Sequence, residues 1–272
     1  MMRAALCLLM IAAPLVRAEI PLSTSGLDLG YRNMYNLEFD EAHKNFNAWK
    51  QQHPEDPLGP VSDGAAYLFA EFDRLHILQS ELFVEDEKFL AHENQAADPA
   101  VKQSLEAELA RGEQLADRIL ARAPRDANAL FAKVLSLGLR ADYQGLIEKR
   151  YMTALTGMKT ARNLAEQLVK IDSSYYDAYL AVGVENYMLS LKPLPVRWLL
   201  KIGGARTDKT EGIQKLRLTA EKGHYLLPYA RLLLAVVALR DRNSGQARNI
   251  LEELAREFPR NKLYRSELAR LR

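Results

Sequence analysis

Five histidines, His43, His53, His76, His92 and His224, and a single cysteine, Cys7, are the side chains with the widest catalytic repertoire in this 272-residue chain. Catalysis by a metal calls for clustered ligands at helical spacing, such as two histidines four apart with a glutamate between them. No pair among the five has that spacing. Glu71, Asp73 and His76 share part of one helical face and come nearest to a ligand set, but a solvated or packing role explains them more simply. Glu85 and Glu87 could pair as acid and base, yet they sit in a polar run best read as solvated. The chain has no Gly-x-Ser-x-Gly elbow, and Cys7 falls in a segment expected to be removed. The expectation is therefore no catalytic residue, no metal ligand and no cofactor. The open alternative is a hydrolase or other enzyme whose site is assembled from distant residues. One further group invites attention: Arg197, Trp198 and Lys201 within "LSLKPLPVRWLLKIGGARTDK", a cationic, prolyl and apolar run in otherwise helical sequence.

The segments that must position these residues begin after a leader. Arg3, the apolar run Ala4 to Val16 and the ending Val16-Arg17-Ala18 have the layout of a secretory signal, residues 1–18, cleaved after Ala18. The run falls short of the roughly 20 apolar residues that a membrane anchor needs. A short buried N-terminal helix is the other reading. Cleavage would remove Cys7, Arg3 and Arg17, so the formal charge would fall from +2 to 0. A cysteine-free, charge-balanced chain of residues 19–272 suits a periplasmic or secreted location and gives no reason to expect nucleic acid. No later segment reaches transmembrane length without charge, so a soluble or at most membrane-peripheral single domain is expected.

A spacing recurs along that domain: a small residue, an apolar or small one four positions on, a mostly apolar one three further, and a helix-ending residue after five more. It appears as Ala42/Phe46/Trp49/Pro54, Gly112/Ala116/Ile119/Pro124, Ala161/Ala165/Leu168/Ser173, Gly212/Leu216/Thr219/His224 and Ala247/Leu251/Leu254/Pro259. Residues four and three apart share a helical face, and the small one admits a neighbouring helix at close range. These are second helices of helix hairpins, and the spacing matches the latter half of the tetratricopeptide consensus. "YYDAYLAVGVENYML" and "DLGYRNMYNLEFDEA" supply first helices, through Tyr179, Val182, Gly183 and Tyr187 and through Leu29 and Gly30. Only the step from Gly212 to Ala247 is close to the roughly 34-residue unit; the other steps carry extra helix or loop. "AAYLFAEFDRLHILQSELF" reads as an intervening apolar helix, and a polar loop precedes a helix starting near Asp98-Pro99. "YQGLIEKRYMTALTGMKTARNLAEQLVKI" reads as one long helix with weak points at Gly145 and Gly157, and "NKLYRSELARLR" as a capping helix with a charged outer face. The expected fold is all-α, a tetratricopeptide-like solenoid with inserted helices; an irregular helical bundle is the alternative.

Residues 189–206 replace what should be a short turn between the helices of the fourth repeat. "PVRWLLKI" would form a short amphipathic helix, with Val196, Leu199 and Leu200 on one side, ended by Gly203-Gly204. This stretch, together with "FDEAHKNFNAWKQQHP", resembles the eukaryotic tetratricopeptide-repeat proteins of the thirty-nine type and the fungal inclusion-body clearance proteins, which have short bacterial relatives. The resemblance spans much of residues 28–260. It implies a non-enzymatic adaptor in protein quality control or lipid handling, although a secretory signal and a much shorter chain depart from the eukaryotic pattern.

Stacked hairpins curve, and their first helices line a concave surface suited to a peptide or helix. In this register Tyr175, Leu180, Val184, Tyr187 and Met188 face the groove, as do Tyr31, Met34 and Tyr35; the alternative is that the stripe is core. For the inserted run three roles stand open: a plug for the concave face, a grip on a partner through Arg197, Trp198 and Lys201, or contact with anionic lipid. In the last, Lys192 and Arg206 would add about 1 kcal/mol each. The expected function is a protein-binding scaffold or adaptor of the cell envelope, with another envelope or secreted protein or peptide as partner and at most weak membrane contact. A peripheral lipid-binding protein is the competing class of binder.

Overall fold

The computed structural model describes residues 25–77, 96–191 and 207–271, and the statements below refer to these. Along the chain lie α1 (Gly26–Tyr35), α2 (Phe39–Gln52), α3 (Leu58–Arg74), α4 (Pro99–Arg122), α5 (Ala127–Asp142), α6 (Tyr151–Ile171), α7 (Tyr179–Ser190), α8 (Lys209–Lys222), α9 (Leu227–Arg240), α10 (Ser244–Glu257) and α11 (Lys262–Arg270). No strand occurs among the described residues. Residues 1–18, Glu85, Glu87, His92 and residues 192–206, where a short inserted helix is expected, lie outside them.

Helix starts follow from side chains that can accept the orphan amides of a first turn. Ser25 and Asp28 form a reciprocal capping box at α1. Asp98 accepts from the Ala100 amide, with Pro99 at the first helical position. Asp126, Asp208, Asn243 and Asn261 do the same for α5, α8, α10 and α11. Helix ends are less conventional. α1, α3 and α9 each end on a left-handed residue that is not glycine: Leu37 at φ 63°, His76 at φ 55° and Arg242 at φ 58°. In all three turns the following amide bonds back to a carbonyl five residues earlier: Glu38 to Asn33, Ile77 to Phe72 and Asn243 to Ala238.

Consecutive helices pack against each other throughout. They form five hairpins, α1/α2, α3/α4, α5/α6, α7/α8 and α9/α10, with α11 against α10. The small residue of every expected repeat, Ala42, Gly112, Ala161, Gly212 and Ala247, is buried on its second helix. Two crossings show why size matters there. A Cβ on Gly30 would stand 2.2 Å from the ring of Phe46, itself fully buried. At Gly212 a Cβ would meet the backbone nitrogen of Tyr187 at 2.7 Å and the Gly183 carbonyl at 3.0 Å, so α7 and α8 touch main chain to main chain.

Several expectations need correction. The helix expected between the first two repeats is α3, the inner helix of the second hairpin, and it ends at Arg74 with the left-handed His76 two residues on. The long helix expected over residues 143–171 is two elements. Tyr143–Ile147 forms a single π-helical turn, Lys149 takes φ 55°, and α6 restarts at Tyr151. Gly157 is no weak point: its missing Cβ would lie 3.3 Å from the Ala141 Cβ, so it lets α5 and α6 close up. α11 is more than a charged cap, because Tyr264 and Glu267 are each 2 % exposed.

The largest departure from an open array is that its two ends meet. The Tyr35 hydroxyl donates to the Tyr225 carbonyl at 2.9 Å, and Tyr31 stacks on the Tyr225 ring at 4.7 Å between centroids. Asn261 donates to the Tyr35 carbonyl, the Arg260 amide donates to Asn36, and Arg260 pairs with Glu38. The Tyr35 and Phe258 rings lie 5.5 Å apart. The inner face of α1 is thereby core, with Tyr31, Met34 and Tyr35 at 4, 1 and 5 % exposure, and not one wall of an open groove. Buried ion pairs tie adjacent hairpins elsewhere: Lys50 bridges Asp63 and Glu108, and Arg162 meets Glu185 at 2.8 Å. Breaking such a pair leaves a buried charge and costs about 3–5 kcal/mol, so these contacts fix which helix neighbours which.

Gly30→Ala should therefore lower unfolding free energy by about 1–3 kcal/mol, since the rigid Phe46 ring must move. Gly138 on α5 has no atom within 4 Å of its missing Cβ. Gly138→Ala should raise unfolding free energy by about 0.5–1 kcal/mol through helix propensity. Urea denaturation of the two variants checks both signs.

Candidate functional site

The residues first singled out for chemistry are dispersed into structural contacts. His43 meets Asp63 at 2.5 Å and lies against the Tyr67 ring, His53 lies against Trp49, and His224 pairs with Asp28 at 2.6 Å. Glu71, 1 % exposed, accepts from Arg74 and from the Asp98 amide, while Asp73 faces Lys262 and His76 occupies a helix-ending turn. The three do not converge. Among the described residues no group of three histidine, cysteine, aspartate or glutamate side chains could hold a metal ion.

The expected groove residues separate into three kinds. Leu180 and Val184, with Tyr31, Met34 and Tyr35, turn inward onto a common cavity. Tyr175 packs its ring 4.9 Å from Phe131 and is partly buried. Tyr187 is 4 % exposed, and its backbone is where α8 crosses, so it is a packing residue and offers no surface to a partner. Met188 points the other way and is 38 % exposed. Arg197, Trp198 and Lys201 lie outside the described residues.

The cavity is what the concave side of the array becomes once its ends meet. All five inner helices contribute to it. Tyr31, Met34 and Tyr35 come from α1, Ala65 and Phe69 from α3, Phe131 to Asp142 from one face of α5, Leu180 to Val184 from α7, and Tyr229 from α9. Its volume is ≈ 90 Å³. Burial keeps the phenols of Tyr31, Tyr35 and Tyr229 well above their ordinary value, so these walls stay neutral.

Two carboxylates border the cavity, and their environments differ. Asp177 accepts from the amides of His224, Tyr225 and Leu226 at 3.0–3.1 Å, which anchors the turn leading into α9. Burial raises its pKa and the three amides pull it back, leaving a net upward shift. Asp142 has no such cradle. It makes no hydrogen bond or ion pair among the described residues, and burial alone pushes its carboxyl up to about 7. Asp142 lies deep in the protein yet keeps some accessible surface, the combination expected of a wall residue in a cavity that a water-sized sphere can enter. Immediately after it the helix widens into the π turn of Tyr143–Ile147, with Glu148 bonding back to Tyr143. Such turns recur at functional positions in helices.

Sequence reasoning missed Asp142, although a signal existed. Phe131, Leu135, Gly138 and Asp142 follow one another at spacings of four, three and four, so the acid stands on the inward stripe of an otherwise apolar helix. Asp177, by contrast, carries no local signature, because its partners lie some 47–49 residues away.

An unpaired buried acid has a measurable consequence. The unfolded chain releases this proton near 3.8, the native chain near 7, so between those values the native state binds more protons and its stability falls as pH rises. Asp142→Asn should be isostable with the parent below pH 3.8 and more stable above about pH 7, as read from denaturation midpoints across pH. No family model matches the chain, and a search of curated proteins finds no similar one.

Proposed function

We propose that this chain is a binding scaffold of the tetratricopeptide type, exported by residues 1–18, that docks another envelope or secreted protein and carries out no catalysis of its own. The observation that supports it best is the series of five successive hairpins, in which every small residue at the repeat position is buried on its second helix. Repeat arrays built this way supply binding surface in proportion to their length.

Because the inner face is core and cavity, docking falls on the outer surface. Met188, a flexible apolar side chain 38 % exposed near the end of α7, is the anchor we assign. The chain then continues into the run carrying Arg197, Trp198 and Lys201.

In living cells, a photo-reactive group at position 188 or 198 should give a discrete protein adduct, identified by mass spectrometry, that disappears when Met188→Asp is introduced alongside the group at 198. Adducts only to the protein's own helices would overturn the scaffold reading and make the inserted run a plug.

A further inference from the structure

A carboxyl group that borders an aromatic cavity without a cationic neighbour among the described residues either keeps its proton or ionises against a counter-charge brought by a ligand. Among the described residues, none that lines this cavity is lysine, arginine or histidine. Cations on the surrounding elements are committed elsewhere: Arg140 to Glu106 and Glu113, Lys102 to Glu148, Arg74 to Glu71, and Arg162 to Glu185. Among the described residues, the other titratable groups facing the void are Asp177, whose oxygens are taken by backbone amides, and the neutral phenols of Tyr31, Tyr35 and Tyr229. The Asp142 charge is close enough to Tyr229 to be felt by its phenol.

We infer that the central cavity is a binding site for a small organic cation, an alkylammonium, whose charge pairs with Asp142 and whose carbon atoms pack against Tyr35, Phe69 and Tyr229. Aromatic faces attract a cation through their quadrupole as well as burying its methylenes. The chemistry of the walls selects against inorganic cations, because a sodium or calcium ion needs several oxygen ligands where this cavity offers one free carboxylate. A void of ≈ 90 Å³ sets the size. Since a 150 Å³ apolar cavity takes up benzene, this one fits a ligand of about four or five heavy atoms. Gly138 leaves open the space that the ligand fills, as nothing approaches within 4 Å of its missing Cβ.

The occupant also reconciles the acid with its surroundings. An ammonium beside Asp142 would hold the carboxyl ionised at neutral pH, against the upward push of burial. Binding is therefore linked to pH: it weakens as Asp142 takes up its proton, on the acid side of about 7.

Titration calorimetry on the purified full chain with n-butylammonium and with n-butanol, its neutral analogue, tests this. At roughly pH 8.5 the amine should bind at least about tenfold more tightly than the alcohol, the worth of one charge-assisted pair. That ratio should fall to about one in Asp142→Asn, and likewise in the parent at roughly pH 5.5. Gly138→Leu, which fills the void, should abolish binding of both probes while leaving the helical circular dichroism intact. Equal affinities for the two probes, an amine preference that survives Asp142→Asn, or no saturable heat from the amine would each overturn the assignment. Should Asp142→Asn fail to fold, Gly138→Leu decides: retained amine binding in that variant places the ligand elsewhere. None of these outcomes bears on the protein adducts at positions 188 and 198, so the two proposals fail separately.

Discussion

The Asp177 carboxylate and the three amides of His224, Tyr225 and Leu226 hold the turn through which the beginning and the end of the chain are joined. The same turn presents its Tyr225 carbonyl to Tyr35, its Tyr225 ring to Tyr31 and its His224 ring to Asp28. Stripping water from a carboxylate costs several kcal/mol. Hydrogen bonds to a charged group return about 1.5–3 kcal/mol each, so three amides roughly offset the burial and leave geometry as the net gain. The contact thus acts less as a source of stability than as a selector of one turn conformation. Without that conformation the fourth hairpin would not set the fifth at the angle that meets α1.

The same division of labour runs through the interior. Apolar burial supplies the driving force, with one apolar core formed by residues from Leu27 to Tyr264. Paired charges decide the arrangement. Lys50 with Asp63 and Glu108 fastens α2, α3 and α4, and Arg162 with Glu185 fastens α6 to α7. A hydrophobic stripe alone would accept a neighbouring helix at several rotations; an ion pair inside it accepts one. Against this background Asp142 stands out, because it is pushed up by burial and yet makes no ion pair with another helix among the described residues.

What could be read from residue order was the helical content, the caps and the second helices. Those features are local: a carboxylate at Asp98 or Asp208 finds its amide two or three residues away, and the small residue of each repeat lies on the same helix as its apolar companions. Turns without glycine were not legible, because Leu37, His76 and Arg242 adopt a left-handed conformation that their side chains disfavour and tertiary packing imposes. The stripe of Tyr31, Met34 and Tyr35 was visible as a stripe, but nothing within ten residues distinguishes a groove wall from a core face. That distinction is made by Tyr225, Phe258 and Asn261, roughly 190 to 226 residues downstream. For the candidate site, the register of Leu180 and Val184 was legible, while the position of Asp142 at the cavity required the other four inner helices to be in place.

The meeting of α1 with residues 224–264 imposes an order on biogenesis. Repeat arrays whose contacts are all between neighbours can consolidate from the N-terminus as each unit is completed. This chain cannot, because the inner face of α1 has its partners in the last quarter of the sequence. Until that quarter has been synthesised, Tyr31, Met34 and Tyr35 remain an exposed apolar stripe. Contacts of such separation are slow to form and leave intermediates open to aggregation. A nascent chain therefore presents this stripe in a state that a chaperone would recognise, and it reaches the protected state only once residues 224–264 have been made.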